Sequence, residues 1–194
     1  MKLFLILILI TIFAGCSDQK VKPAIDASLQ AAKLPLQESW KDTIAFSDSG
    51  KTKAVLIAGH LRMFDQPNET LLDSSIQVDF YDNTGTKTTT LTALKGKVDN
   101  NTNNLYANDS VVAVNDSGIV LHTQELMWNN SQQKILSDKF VTIISPKEKI
   151  QGYGFESDQS LRNYTIYNIT YVTRVDSSKK EDKQISKPRA VKKK

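Results

Sequence analysis

Short runs of alternating apolar and polar residues dominate the chain after residue 50. The clearest run places Ile76, Val78 and Phe80 on one side of a strand, because successive strand side chains point to opposite faces. Clusters of Asn, Asp, Ser and Gly separate such runs at short intervals, and no segment after residue 50 has a sustained helical period. This pattern predicts an all-β domain built from many short strands.

Residues 53–64 form a second alternating run. We assign every second residue, including Val55, Ile57 and Leu61, to the drier face of this strand, and His60 to the other face. This assignment predicts that Val55 and Ile57 point into the domain.

One pattern occurs twice between residues 98 and 144: a short strand, a polar turn and a second strand. The matching positions, thirty residues apart, are Val98 and Trp128, Ala107 and Ser137, and Val111 and Val141. A weaker third copy covers residues 154–172. Repetition at this period is typical of stacked supersecondary units. The repeat therefore predicts a series of antiparallel strand-turn-strand units.

Large and small side chains alternate on the predicted inner face, where Ala107 and Ala113 accompany Phe80, Trp128 and Phe140. Two interpretations of this mixture remain open. It can fill an ordinary packed core, or it can line a groove that accepts an apolar ligand.

The N-terminus has the features of a secretory signal: Lys2, an apolar run over residues 3–13, and small residues before Cys16. The run is shorter than the roughly 20 residues that a membrane-spanning helix needs. Residues 13–16, Phe-Ala-Gly-Cys, resemble the lipobox of bacterial lipoproteins. We therefore predict a signal peptide over residues 1–15, lipid attachment at Cys16, and a tether over residues 16–38. As the chain has a single cysteine, it cannot form an intramolecular disulfide.

The net charge of +4 is unevenly distributed. Residues 176–194 carry a net charge of +5 and residues 16–175 a net charge of −2. The first segment is predicted to be a disordered basic tail. The body of the protein lacks the basic face and stacking motifs of a nucleic-acid-binding protein.

The sequence contains none of the familiar catalytic patterns. His60 and His122 are the only histidines, and neither belongs to a cluster with metal-ligand spacing. No nucleophile elbow or phosphate-binding glycine loop is present. We expect no catalytic residue, metal or cofactor, and therefore no enzyme.

Several segments together resemble the LptC family of lipopolysaccharide-export proteins. They are LTALKGKV at 91–98, LYA at 105–107, IVLHTQELMW at 119–128, ILSDKFVTI at 135–143 and IQGYG at 150–154. The resemblance covers residues 40–172. Many members are held by an N-terminal transmembrane helix, whereas this chain has the predicted lipid attachment at Cys16.

The resemblance implies an open, twisted β-jellyroll over residues 39–175 whose apolar interior receives lipid A acyl chains. The expected groove residues are Val55, Ile57, Ile76, Val78, Phe80, Ala107, Trp128 and Phe140. It also implies a periplasmic location, with the lipid anchor in the inner membrane. The cargo would come from an ABC transporter and pass to a bridge protein of the same fold.

In this family the edge strands pair with partner strands. By order along the chain, the edge facing the transporter would be residues 54–64, including Val55 and Leu61. The edge facing the bridge protein would be residues 164–172, including Tyr164, Ile166 and Tyr171. The soluble bridge protein is itself a rival identity, against which the predicted lipid anchor argues. A structural or adhesive β-repeat lipoprotein without lipid cargo is the alternative from another class.

Overall fold

The computed structural model describes residues 34–174, which form ten β-strands and no helix. The strands are β1 (Gln37–Asp48), β2 (Lys51–Phe64), β3 (Glu69–Tyr81), β4 (Lys87–Ala93), β5 (Lys95–Asp99), β6 (Asn104–Asn115), β7 (Val120–Asn129), β8 (Lys134–Ile144), β9 (Glu148–Asp158) and β10 (Tyr164–Arg174). The prediction of an all-β domain is confirmed. No helix within the described residues is long and apolar enough to cross a membrane.

All ten strands belong to one antiparallel meander. Their order is β1-β2-β3-β4-β6-β7-β8-β9-β10, and β5 continues the position of β4 between β3 and β6. Only Leu94 separates β4 from β5. The sheet therefore has nine strand positions and two edges, β1 and β10.

Most strands are irregular near their middle, where the pairing register shifts. Ser74 and Ser75 in β3 and Asp109 and Ser110 in β6 have positive φ at these places. Gly59 of β2 lies opposite the β3 irregularity, and a Cβ added there would be 2.1 Å from the Ser74 backbone oxygen. Such bulges bend strands and increase their twist, so the sheet curls around a single cluster of buried apolar side chains.

The thirty-residue repeat corresponds to two equivalent hairpins, β5–β6 and β7–β8. Val98 pairs with Leu105 in the first, and Trp128 pairs with Ile135 in the second. The turns also match: Asn103 and Gln133 have φ of 57° and 53°, and the side chains of Asp99 and Asn129 each accept hydrogen bonds from turn amides. The third copy corresponds to the β9–β10 hairpin.

The predicted N-terminal edge is wrong. Residues 54–64, with Val55 and Leu61, lie in β2, which pairs on both sides. The true edge is β1, which begins at Gln37 within the predicted tether. Its pattern was missed because only one of its side chains is fully buried, so the apolar alternation that marks a half-buried strand is weak.

The predictions for the signal peptide, Cys16 and the basic tail fall on residues 1–33 and 175–194, outside the described part of the chain.

Candidate functional site

A continuous row of apolar side chains crosses the inner face of all nine strand positions. In order from β1 to β10, it consists of Ile44, Leu56, Val78, Leu91, Ala113, Leu121, Ile143, Ile150 and Val172. The central members are no more than 1% exposed, whereas Ile150 is half-buried and Val172 is 52% exposed. The apolar inner face is thus covered in its middle and open along β10.

A neighbouring row repeats this gradient. It runs from Val111 through Thr123, Val141 and Gly152 to Ile169. Val141 is fully buried, but Ile169 at the edge is 56% exposed. Ile169 and Val172 therefore present inner-face apolar surface to solvent.

Five of the eight residues expected to line a groove lie on this inner face. They are Ile76, Val78, Phe80, Ala107 and Trp128, and none is more than 1% exposed. They belong to one buried cluster. In this conformation the side chains fill the interior themselves.

The other three residues, Val55, Ile57 and Phe140, lie on the outer face, so their predicted orientation is wrong. On β2 the buried residues before the bulge at Gly59 are Ala54, Leu56 and Ala58, and the bulge shifts the alternation so that Leu61 is buried after it. On β8, Val141 and Ile143 occupy the inner face, and Phe140 between the bulge and Val141 points outward onto Tyr153. Ile57 and Phe140 are 43% and 40% exposed.

Trp128 lies at the centre of the interior. Its ring makes edge contacts with Phe46 of β1 at 5.3 Å and with Phe80 of β3 at 5.5 Å between centroids. Edge-to-face aromatic pairs add to the stabilisation from burial. This cluster joins the two ends of the curled sheet.

The C-terminal edge has two unlike halves. Tyr164 and Ile166 pack against the core. After Ile166, Tyr167, Ile169, Tyr171 and Val172 are all more than half exposed, on both faces of the strand. The prediction that residues 164–172 form an edge strand is confirmed, whereas the partner of this edge remains a proposal.

The N-terminal edge is held by a cluster of charged groups around His60. His60 Nε2 lies 2.7 Å from Glu38 of β1, and His60 Nδ1 lies 2.9 Å from Asp73 of β3. Trp40 stacks on the imidazole at 5.2 Å, and Arg62 donates to Asp73. The hydrogen bonds with Glu38 and Asp73 raise the pKa of His60 above its ordinary 6.5. Burial acts to raise the pKa of Asp73, but hydrogen bonds from His60 and Ser74 outweigh it and the pKa is lowered.

A comparison with known protein families gives one match, to the family described as lipopolysaccharide-assembly, LptC-related, over residues 3–173. The chain belongs to this family. The LptC-related proteins are periplasmic transport components rather than enzymes, and the chain is accordingly a component of lipopolysaccharide transport that acts with the transport machinery. A search of curated proteins found no match.

In this LptC-related chain, the β9–β10 loop fastens one end of the jellyroll. Gln159 donates to the Tyr81 carbonyl, Asn115 donates to the Ser160 carbonyl, and Arg162 forms an ion pair with Asp116. The loop also buries Leu161. These contacts join β9–β10 to the β3–β4 and β6–β7 turns and fix the distance between the two halves of the sheet.

Sequence reasoning missed a recess of about 530 Å³ on the outer face. Tyr106, Met127, Leu136 and Glu156, which pair in one outer row across β6 to β9, line it together with Tyr167. The recess forms where β7 and β8 lose their pairing. No sequence signal marks it, because bulge positions follow from the register of the whole sheet.

Proposed function

We propose that this protein is the membrane-anchored periplasmic component of lipopolysaccharide export that receives lipid A acyl chains on its apolar inner face. It takes them from an ABC transporter and passes them to a bridge protein of the same fold. Membership of the LptC-related family sets this frame. The observation that carries the proposal is the inner row, which changes from fully buried to half exposed toward β10.

Acyl chains would first contact the exposed inner-face residues Ile169 and Val172 and then extend toward Phe80 and Trp128. Each CH₂ group buried contributes about 0.8 kcal/mol. Because the central side chains are already buried, a bound chain must replace contacts between the two halves of the sheet with contacts to lipid. This exchange is close to balanced, which suits a carrier that must also release its cargo.

Binding of this kind has no direction of its own. The protein has no recognised nucleotide-binding loop, so the free energy for directed transport would come from ATP use by the transporter. The carrier contributes an apolar path that shields the acyl chains from water.

The two edges would supply the protein contacts. An unpaired strand exposes a row of backbone donors and acceptors, and a partner strand can satisfy them by β-augmentation. We assign β10 to the bridge protein and β1, rather than β2, to the transporter.

The anchor would be the acylated Cys16, with several acyl chains giving stable attachment. The first strand begins at Gln37, so about 20 residues separate Cys16 from the sheet. An extended segment of that length spans at most about 70 Å.

One observation favours the alternative, a structural β-repeat lipoprotein without cargo. The five inner residues of the predicted groove are packed to 1% exposure or less, as in a core that never opens. Lipid binding therefore requires the two halves of the sheet to separate, whereas a purely structural role does not.

Photo-crosslinking distinguishes these functions. A photoreactive amino acid at Phe80, on the inner face, should crosslink to lipopolysaccharide in the full-length protein, while the same group at Gln77 or Asp79, on the outer face of the same strand, should not. The structural alternative predicts no lipid adduct at Phe80. Adducts only at Gln77 and Asp79 would contradict the proposed route.

A further inference from the structure

Two buried polar groups in the interior have no hydrogen-bond partner among the described residues: Thr89 Oγ1 and Trp128 Nε1. Thr89 is 1% exposed and Trp128 is fully buried. A buried polar group without a partner is costly, and most such groups in folded proteins are satisfied. These two atoms therefore call for a physical explanation.

The neighbouring buried hydroxyl groups are satisfied, which sets Thr89 apart. Thr70 donates to Asn100, Thr88 to the Phe80 carbonyl, Thr123 to the Phe140 carbonyl and Ser157 to the Asn163 carbonyl. A protein partner for an interior hydroxyl is thus the rule in this sheet. Thr89 is the buried threonine or serine in residues 34–174 that departs from it.

Both unpartnered groups lie beside one residue, Phe80. Thr89 is the direct cross-strand partner of Phe80 on the inner face, and such partners have Cβ atoms about 5 Å apart. The Trp128 ring makes an edge contact with Phe80. Two hydrogen-bond donors therefore flank a single aromatic side chain in the most deeply buried part of the interior.

We propose that Trp128 and Thr89 form a polar subsite that binds an oxygen atom of the acyl chain, either a hydroxyl group or an ester or amide carbonyl. The proposal rests on the proposed function, since it concerns the same inner face. The indole N–H can only donate, and the threonine hydroxyl can donate or accept. The matching ligand group is consequently an acceptor oxygen carried on an otherwise apolar chain. A plain hydrocarbon chain would leave both donors unsatisfied.

The chemistry predicts selectivity between acyl chains of equal length. Displacement of a fluorescent fatty acid from the full-length protein would compare 3-hydroxytetradecanoic acid with tetradecanoic acid. The unaltered protein should prefer the hydroxylated acid about three- to tenfold, as expected for one or two net hydrogen bonds. Thr89→Val and Trp128→Phe should each reduce this preference and leave the affinity for tetradecanoic acid nearly unchanged.

Two matched variants serve as controls. Thr88→Val removes a buried hydroxyl that has a partner, the Phe80 carbonyl, so it should lower the free energy of unfolding and keep the ligand preference. Thr89→Val removes a hydroxyl without a partner and should not lower it. Trp40→Phe alters the exposed tryptophan of β1 and should change neither quantity.

The outcomes separate this inference from the proposed function. If both acids bind but the unaltered protein and the Thr89 and Trp128 variants show the same preference, the polar subsite is refuted while acyl binding stands. A trapped water molecule would then satisfy the two groups. If neither acid binds, the proposed function fails and the subsite fails with it.

Discussion

The two edge strands of the sheet are fixed in opposite ways. β1 places Phe46 against Trp128 near one end and uses the Glu38–His60–Asp73 cluster near the other. β10 is attached by Tyr164 and Ile166 at its start, and from Tyr167 onward its large side chains are exposed. Both strands have one unpaired side, but only β1 is tied down along its length.

This difference indicates different roles for the edges. A strand that is exposed on both faces and along one side is a liability in isolation, and β10 becomes fully buried only when another strand covers it. β1 needs no such cover. Its side chains instead contain a group, His60, whose protonation can alter how firmly the strand is held.

Removing the inner anchor of β1 should have the largest effect. Phe46→Ala deletes a buried aromatic ring that contacts Trp128, and such changes cost about 3–5 kcal/mol. Urea denaturation would measure the loss in free energy of unfolding. Trp40→Ala, on the exposed face of the same strand, is the control and should cost much less. A loss below about 1 kcal/mol for Phe46→Ala would mean that β1 is not anchored through the core.

Gly152→Ala should weaken β10 selectively. An added Cβ would lie 2.3 Å from the Asn168 backbone oxygen and 2.8 Å from Ile166 Cγ2, both in β10. Because the backbone must shift to relieve this contact, we expect a loss of about 1–3 kcal/mol. Hydrogen exchange should accelerate in β10 and remain unchanged in β1. Equal acceleration in both edges would show that they do not open independently.

The first half of β1 should loosen as the pH rises. A charged imidazole donates to both Glu38 and Asp73, while a neutral one has a single N–H. Since folding raises the pKa of His60, its contribution is complete below pH 6.5 and is lost as the pH increases through the folded-state pKa. Hydrogen exchange of residues 37–42, corrected for its intrinsic pH dependence, should report this loosening.

His60→Gln should abolish that pH dependence, and His122→Gln should preserve it. His122 pairs with Val112 and Thr142 on β7 and is remote in sequence from the cluster. Identical pH profiles for the unaltered protein and His60→Gln would remove His60 from the account of β1.

Truncating the exposed side chains of β10 should have the smallest effect on stability. Ile169→Ala and Val172→Ala remove side chains that are 56% and 52% exposed, and surface substitutions usually change stability by less than about 0.5 kcal/mol. The same variants should weaken acyl-chain binding, measured by fluorescent fatty-acid displacement. Substantial destabilisation with unchanged binding would make these residues part of a closed core.

The sequence alone predicts the strand content, the repeated hairpins and the C-terminal edge, because each depends on local alternation and turn residues. It also places Ile76, Val78 and Phe80 correctly on the inner face. It fails at Val55, Ile57 and Phe140, where bulges on the partner strands set which face is buried. β1 escaped notice for a related reason: its attachment depends on Phe46 and on a charged cluster spread over three strands, which a period-two pattern does not contain.

The most direct test of the account uses two neighbouring residues of β10 with equal exposure and opposite faces. Val172 lies on the inner face and Tyr171 on the outer face, and they are 52% and 51% exposed. A photoreactive amino acid at each position, in full-length protein loaded with lipopolysaccharide, removes accessibility as a variable. The account predicts a lipid adduct at Val172 and little or none at Tyr171. Equal adducts at both positions, or an adduct at Tyr171 alone, would contradict the claim that the inner face carries the lipid.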